Sequence, residues 1–283
     1  MKIFVPSKNR PDSKLFTQTT GLNIVLQTEQ DFESYKIHEK SHVLHCKPEL
    51  KGLLDTRNWI LEQGTKKDPW IFMIDDDVNT FNRLVKQQKL PVILSFTKIA
   101  NEIEKMLNKI IQRVDTSKIG IIGFNNQIDN RPFIFNFNDE FTIINENNFM
   151  LFHHSILLNT PVLKSINFQY SGYPFDGQNG QRAFFEDTEL NYFLYVNGLN
   201  TIRINTLGFT FIRDNQSMVW DNYKYKEKMH ILSNIWLLYK YGFKYSVIMR
   251  AIASSLYNNL GLKYNTYDDI DEELKNFKWD EIT

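Results

Sequence analysis

The chain has 283 residues, of which 42% are apolar, enough for one large α/β domain with an addition or for two small domains. Lys plus Arg and Asp plus Glu both total 33, so no global charge argues for a polyanion partner, although a local basic groove stays open. The lone Cys46 excludes an internal disulfide, and the opening apolar run stops at Pro6 without the pattern of a signal peptide. No apolar run reaches the roughly 18 residues that span a bilayer, so a soluble, cytoplasmic protein is expected.

Ile3-Phe4-Val5 reads as a first buried strand, ended by the polar loop Pro6-Ser7-Lys8-Asn9-Arg10. Residues 23–27 and 42–45 read as two more strands, and residues 52–62 have helical spacing with Gly64 as the stop. Trp70-Ile71-Phe72-Met73-Ile74 is a continuous apolar run, the pattern of a strand covered on both faces. Residues 99–114 form an amphipathic helix and residues 119–124 return to strand. This alternation predicts a mostly parallel sheet flanked by helices. Residues 133–152 have the composition of a hairpin, and 172–180 reads as a Gly/Pro/Asn-rich loop. Residues 187–196 read as a helix closed by Asn197-Gly198, 201–211 as strands, and 223–241 and 245–260 as two helices before an acidic tail. The division expected is a catalytic domain over 1–215, with halves 1–125 and 126–215, and a helical extension over 216–283.

The central apolar run ends in Asp75-Asp76-Asp77. On an extended chain Asp75 and Asp77 point one way and Asp76 the other. Carboxylates this close repel and raise one another's pKa unless a cation lies among them. At the carboxyl end of a parallel strand they occupy the edge where α/β sheets bind ligands. Their hard oxygens suit Mg2+ or Mn2+, ions that keep positions open for phosphate oxygens. An acidic turn or helix cap is the plainer reading of the same residues.

A second acidic motif, Phe184-Phe185-Glu186-Asp187-Thr188-Glu189, opens a helix. Dipole capping explains it simply. The aromatic pair beside it would also desolvate Glu186 or Asp187, raise its pKa and suit it to general base work. His153 and His154, adjacent on an extended segment, point apart and read as structural.

Taken in order, Val5-Pro6-Ser7-Lys8-Asn9-Arg10, Asp55-Thr56-Arg57-Asn58-Trp59, Ile74-Asp75-Asp76-Asp77-Val78 and Glu186-Asp187-Thr188-Glu189 resemble the GT-A glycosyltransferases. More narrowly, the chain is similar to the phage-type enzymes of DNA base hypermodification, including the TET-associated group. The resemblance implies a GT-A, Rossmann-like α/β fold and a nucleotide-sugar donor, UDP-linked. Pro6, Ser7, Lys8 and Arg10 would line the base and ribose pocket. Arg57 and Asn58 would meet the diphosphate or ribose, and Asp75 and Asp76 would also bind the donor, Asp75 at its ribose or sugar hydroxyls. Asp77, with Asp75, would hold the Mn2+ or Mg2+ ion. Asp187 would be the base of an inverting reaction, with Glu186 beside it. The histidine metal ligand that GT-A enzymes carry beyond the second acidic motif has no counterpart near Phe211, and Asp214 is the nearest oxygen donor.

The acceptor that the resemblance implies is a hydroxymethylated pyrimidine in DNA, whose hydroxyl must leave the duplex to reach Asp187. The loops at 178–182 and 216–218 would lie nearest to it. Lysine and tyrosine interleave over 223–228 and 240–245, which suits phosphate attraction and base stacking, or equally lysines lying over an aromatic core. A glycan or lipid-linked acceptor, a non-catalytic nucleotide- or carbohydrate-binding module and a Mg2+-dependent nucleotidyltransferase are the competing readings.

Overall fold

The apolar run at residues 70–74 does form a strand buried on both faces, in the middle of the main sheet. The computed structural model describes residues 1–85, 91–126, 133, 138–144, 155–171 and 186–211, without the side chains of Glu186 and Thr188. Expectations for His153 and His154, for the loop at 172–180 and for everything from 212 onward lie outside the described residues.

In chain order the elements are β1 (Lys2–Pro6), α1 (Lys14–Gln18), β2 (Asn23–Leu26), α2 (Glu29–Tyr35), β3 (Val43–Cys46), α3 (Gly52–Glu62) and β4 (Trp70–Met73). They continue with β5 (Val78–Arg83), β6 (Val92–Leu94), α4 (Ile99–Arg113), β7 (Ile119–Phe124), β8 (Phe141–Ile144) and β9 (Ile156–Asn159). Last come α5 (Thr160–Ser165), α6 (Glu186–Val196), β10 (Asn200–Ile204) and β11 (Leu207–Phe211).

Among the described residues the main sheet has eight strands, in the order β3-β2-β1-β4-β9-β7-β10-β8. Strands β3, β2, β1, β4, β7 and β10 run the same way, as the alternating pattern predicts. Strands β9 and β8 run against them. Strand β9 fits into the centre because Ile156, Leu157 and Leu158 are buried, while the Asn159 amide donates to the carbonyls of Thr116 (3.0 Å) and Ile119 (2.9 Å). Strand β8 pairs with β10, far along the chain, while most of the 133–152 stretch where a hairpin is expected lies outside the described residues. A second sheet, β11-β5-β6, is antiparallel and was not anticipated.

Helix α4 buries Ile99, Ile103, Met106, Leu107 and Ile110, one stripe at helical spacing, against a core that includes Phe72, Ile122, Leu157 and Ile202. The opposite core gathers Leu54, Ile60 and Leu61 of α3 and Leu190 and Leu194 of α6 with Ile71, Met73, Ile121 and Leu158. Helix α6 ends as predicted, with Gly198 at φ 65° where a side chain would be strained.

Candidate donor site at the acidic turn

Chain order reverses beside β1: the chain steps outward to β2 and β3 on one side and to β4 on the other. Such a switch point leaves a crevice outside the carboxyl ends of the strands. The loop after β1 and the Asp75-Asp76-Asp77 segment after β4 both emerge there. Strand pairing persists to that edge, since the Ile74 amide donates to the Phe4 carbonyl at 3.1 Å.

The chain turns at Asp76-Asp77 rather than running on extended, because β5 follows at once. The side chains nevertheless divide as alternation predicts. Asp76 is buried, and Asp75 and Asp77 are partly exposed on either side of it. Asp76 accepts from the Ser7 hydroxyl at 2.5 Å and pairs with the Arg10 guanidinium at 2.7 Å. Its carbonyl accepts from the Ser13 hydroxyl at 2.5 Å. Burial pushes the Asp76 carboxyl above its ordinary range, against the opposing pull of Ser7 and Arg10.

A ring of hydrogen bonds closes behind this carboxylate. The Arg10 amide donates to the Tyr35 hydroxyl at 2.8 Å, and Tyr35 lies 2.7 Å from Ser7 Oγ. Ser7 commits its single proton to Asp76, so Tyr35 donates to Ser7. Burial raises the Tyr35 phenol to about 12, which keeps that proton in place. Asp31, also on α2, accepts from the Asn9 amide at 3.0 Å, and Asn9 takes the left-handed conformation at φ 55° that asparagine tolerates. Thr28 caps α2 by accepting from the Asp31 amide at 3.0 Å and donates to the Asp31 carboxylate at 2.7 Å.

On the other side Arg57, buried on α3, reaches Asp75 at 3.4 Å. Its guanidinium also lies 5.9 Å from the Tyr170 ring. The Asn58 amide, expected to meet the donor, instead accepts from the Tyr170 amide (2.7 Å) and donates to the Tyr170 carbonyl (2.8 Å). Pro6 is buried in β1 opposite Val25, and Lys8 is exposed on the loop.

The structure thus brings Ser7, Arg10, Arg57, Asp75, Asp76 and Asp77 to one sheet edge. Asp187 is partly exposed in the first turn of α6, while Asp214 and the Glu186 side chain lie outside the described residues. Among the described residues no three carboxylates, imidazoles or thiolates form a ready metal cage. Residue-level reading missed Tyr35, Asp31 and Ser13. Ser13 carries a cap signal, since it accepts from the Leu15 amide at 3.3 Å, whereas nothing local marks Tyr35.

Residues 1–218 match the family described as TET-associated glycosyltransferase. The chain belongs to that family. As a TET-associated glycosyltransferase it is an enzyme of glycosyl transfer. Its fold is GT-A, in accord with its likeness to the S. aureus TarS fragment 1–349, solved in complex with UDP-GlcNAc. That structure is 11% identical and superposes with a TM-score of 0.54, over 99% of this chain and 77% of the other. GalNAc-T7, solved with UDP, GalNAc and Mn2+, is 9% identical, with a TM-score of 0.45 over 97% of this chain and 53% of the other. No curated protein matches the chain. No helix among the described residues of this glycosyltransferase is long and apolar enough to cross a membrane.

Proposed function

We propose that this glycosyltransferase moves a sugar from a UDP-linked donor to a hydroxymethylated pyrimidine in DNA, with Asp187 as the base of an inverting reaction. The observation that carries the donor reading is the acidic turn at the β1/β4 switch point, with Arg57 3.4 Å from Asp75. The neighbour's UDP-GlcNAc is in keeping with that donor class. The DNA acceptor rests on the TET-associated family and on the ordered motifs of the sequence.

Asp77 and Asp75 are the residues proposed to hold Mn2+ or Mg2+. Such ions take one or two carboxylates plus substrate phosphates and waters, so this partly exposed pair suits them without a full protein cage. When bound, the ion would neutralise charge growing on the diphosphate. Arg57 adds a planar fork of donors for phosphate oxygens. Ser7 and Arg10 hold Asp76 in place and keep the loop shaped for base and ribose. In the step itself, the bond from the anomeric carbon to the diphosphate oxygen breaks with its electron pair. The acceptor oxygen bonds to that carbon, and its proton passes to the Asp187 carboxylate. Asn58, whose amide grips Tyr170, is assigned to supporting Arg57 rather than to the diphosphate. A DNA acceptor sets the reaction in the cytoplasm. The catalytic domain is taken as 1–215 with 216–283 as an extension, and the family match ending at 218 is in keeping with that.

The test is a panel of sugar nucleotides with Mn2+, scored for nucleoside diphosphate release with and without hydroxymethylated DNA. Release that rises with that DNA is expected; release stimulated only by a glycan or lipid acceptor would replace the DNA reading. Asp77→Asn is expected to abolish turnover and weaken donor binding. Asp187→Asn is expected to keep donor binding and lose about 10²–10⁴-fold in turnover, the range for removal of a general base.

A further inference from the structure

We propose that Glu189 is a positioning residue: through Ser171 and Tyr170 it fixes the first turn of α6, and with it Asp187, relative to the Arg57–Asp75 pair. The inference rests on the reading of Asp187 as base and Arg57 as a diphosphate contact.

Glu189 carries a fully buried carboxylate whose two oxygens grip one residue. Oε2 accepts from the Ser171 amide at 3.0 Å and Oε1 from the Ser171 hydroxyl at 2.6 Å. The preceding residue, Tyr170, is gripped as tightly from α3. Its amide and carbonyl both bond the Asn58 side chain, at 2.7 and 2.8 Å, while its ring lies 5.9 Å from the neighbouring Arg57 guanidinium. Two consecutive residues of one strap are thus held by two helices from opposite halves of the sheet. The links run unbroken from Asp75 to Arg57, to Tyr170 and Asn58, to Ser171, to Glu189 and so to α6.

Burying a carboxylate costs several kcal/mol unless it is hydrogen-bonded, and an apolar side chain would fill the same core more cheaply. What an apolar residue could not do is register α6 on Ser171 by two directed bonds. Asp187 lies two residues earlier in the same helix, so rotation or sliding of its first turn moves the base directly. The strap's own rings pack on one another and on α6, with centroids 4.9 Å apart for Phe168–Tyr170 and 5.0 Å for Phe168 and Phe193 of α6. The strap's body therefore stays anchored when its polar end is altered.

Glu189→Leu fills about the same space and removes both acceptors, so neither the Ser171 amide nor its hydroxyl can bond α6. With the sugar nucleotide that supports turnover in the panel above, diphosphate release is expected to slow by roughly ten- to hundredfold, the loss a shift near 1 Å produces. UDP affinity in the presence of Mn2+, read by calorimetry, should stay within about twofold of wild type, since the Arg57–Asp75 side is untouched. Ser171→Ala removes only the hydroxyl bond and should show the same split at smaller size; it decides the matter if Glu189→Leu does not fold. Wild-type turnover in folded Glu189→Leu would overturn the proposal, as would equal losses in turnover and UDP affinity. Full turnover in Asp187→Asn would instead remove the base assignment, whatever Glu189→Leu does.

Discussion

Tyr35 carries no charge and lies 41 residues before Asp76 in the chain, yet its hydroxyl is the keystone of the loop that faces it. It takes the Arg10 amide proton and gives its own to Ser7, and both of those residues hold Asp76. Tyr35→Phe deletes one atom and costs two buried hydrogen bonds, so a loss of about 1–3 kcal/mol is expected by chemical denaturation. UDP affinity should fall with it, because Ser7 and Arg10 lose their anchor. Unchanged stability and affinity in Tyr35→Phe would show that Asp76 alone organises the loop. The same residue shows what a linear reading lacks. Asp75, Asp76 and Asp77 announce themselves by adjacency, and Arg57 by its motif. Tyr35 has no such local mark, since its role exists only once α2 stands beside the β1 loop.

At the scale of elements, short polar-flanked pieces escaped prediction: α1, α2, β5, β6, β9 and α5. Helix α1 spans five residues, too short to display a helical period, and is held in part by histidine contacts. His42 accepts from the Leu22 amide through Nδ1 (3.3 Å) and donates to the Phe16 carbonyl through Nε2 (2.9 Å), tying α1 to the start of β2. The Leu22 bond requires an unprotonated Nδ1 and is lost when the ring charges, whereas Nε2 donates to Phe16 in either state. Burial lowers the His42 pKa, the Phe16 bond opposes this and nearby His38 adds to it; burial, Lys47 and Lys2 lower His45 likewise. With folded values depressed, the unfolded chain takes up these protons first. Stability is therefore fully present above the ordinary imidazole value of about 6.5 and drains as pH falls below it. Melting temperatures measured from pH 7.5 down to 5.5 should decline, and the decline should be shallower in His42→Asn. An identical slope in that variant would exclude His42 as the source.

Across the whole molecule, two sheets meet on aromatic rings. Phe209 of β11 stacks on Phe81 of β5 at 5.1 Å, meets Phe124 of β7 edge-on at 5.2 Å and lies 6.0 Å from Phe72 of β4. It is fully buried, so it joins the small sheet to the large one. Because β5 begins directly after Asp77, that junction also seats the acidic turn. Phe209→Ala should cost about 3–5 kcal/mol, read as a lowered midpoint in guanidinium unfolding. Gly208 is similarly constrained: a Cβ there would collide with the Asn125 carbonyl, part of the backbone that leaves β7.

The sequence alone specified the strands β1, β2, β4 and β7 and the helices α3, α4 and α6, because each has an apolar period or run that marks its buried residues; β3 was legible as a strand too, although it lies half-exposed at the sheet edge. It also drew attention to Asp75, Asp76, Asp77 and Arg57, which the fold brings to one sheet edge. Only the tertiary structure decided that β9 runs antiparallel through the centre, that β5 and β11 build a second sheet, and that Asn58 grips Tyr170. Those outcomes depend on pairings between residues far apart in the chain, 112 positions in the case of Asn58 and Tyr170. Hydrogen-bond partners at such separations leave no periodic trace in either segment, so chain closure, not local pattern, selects them.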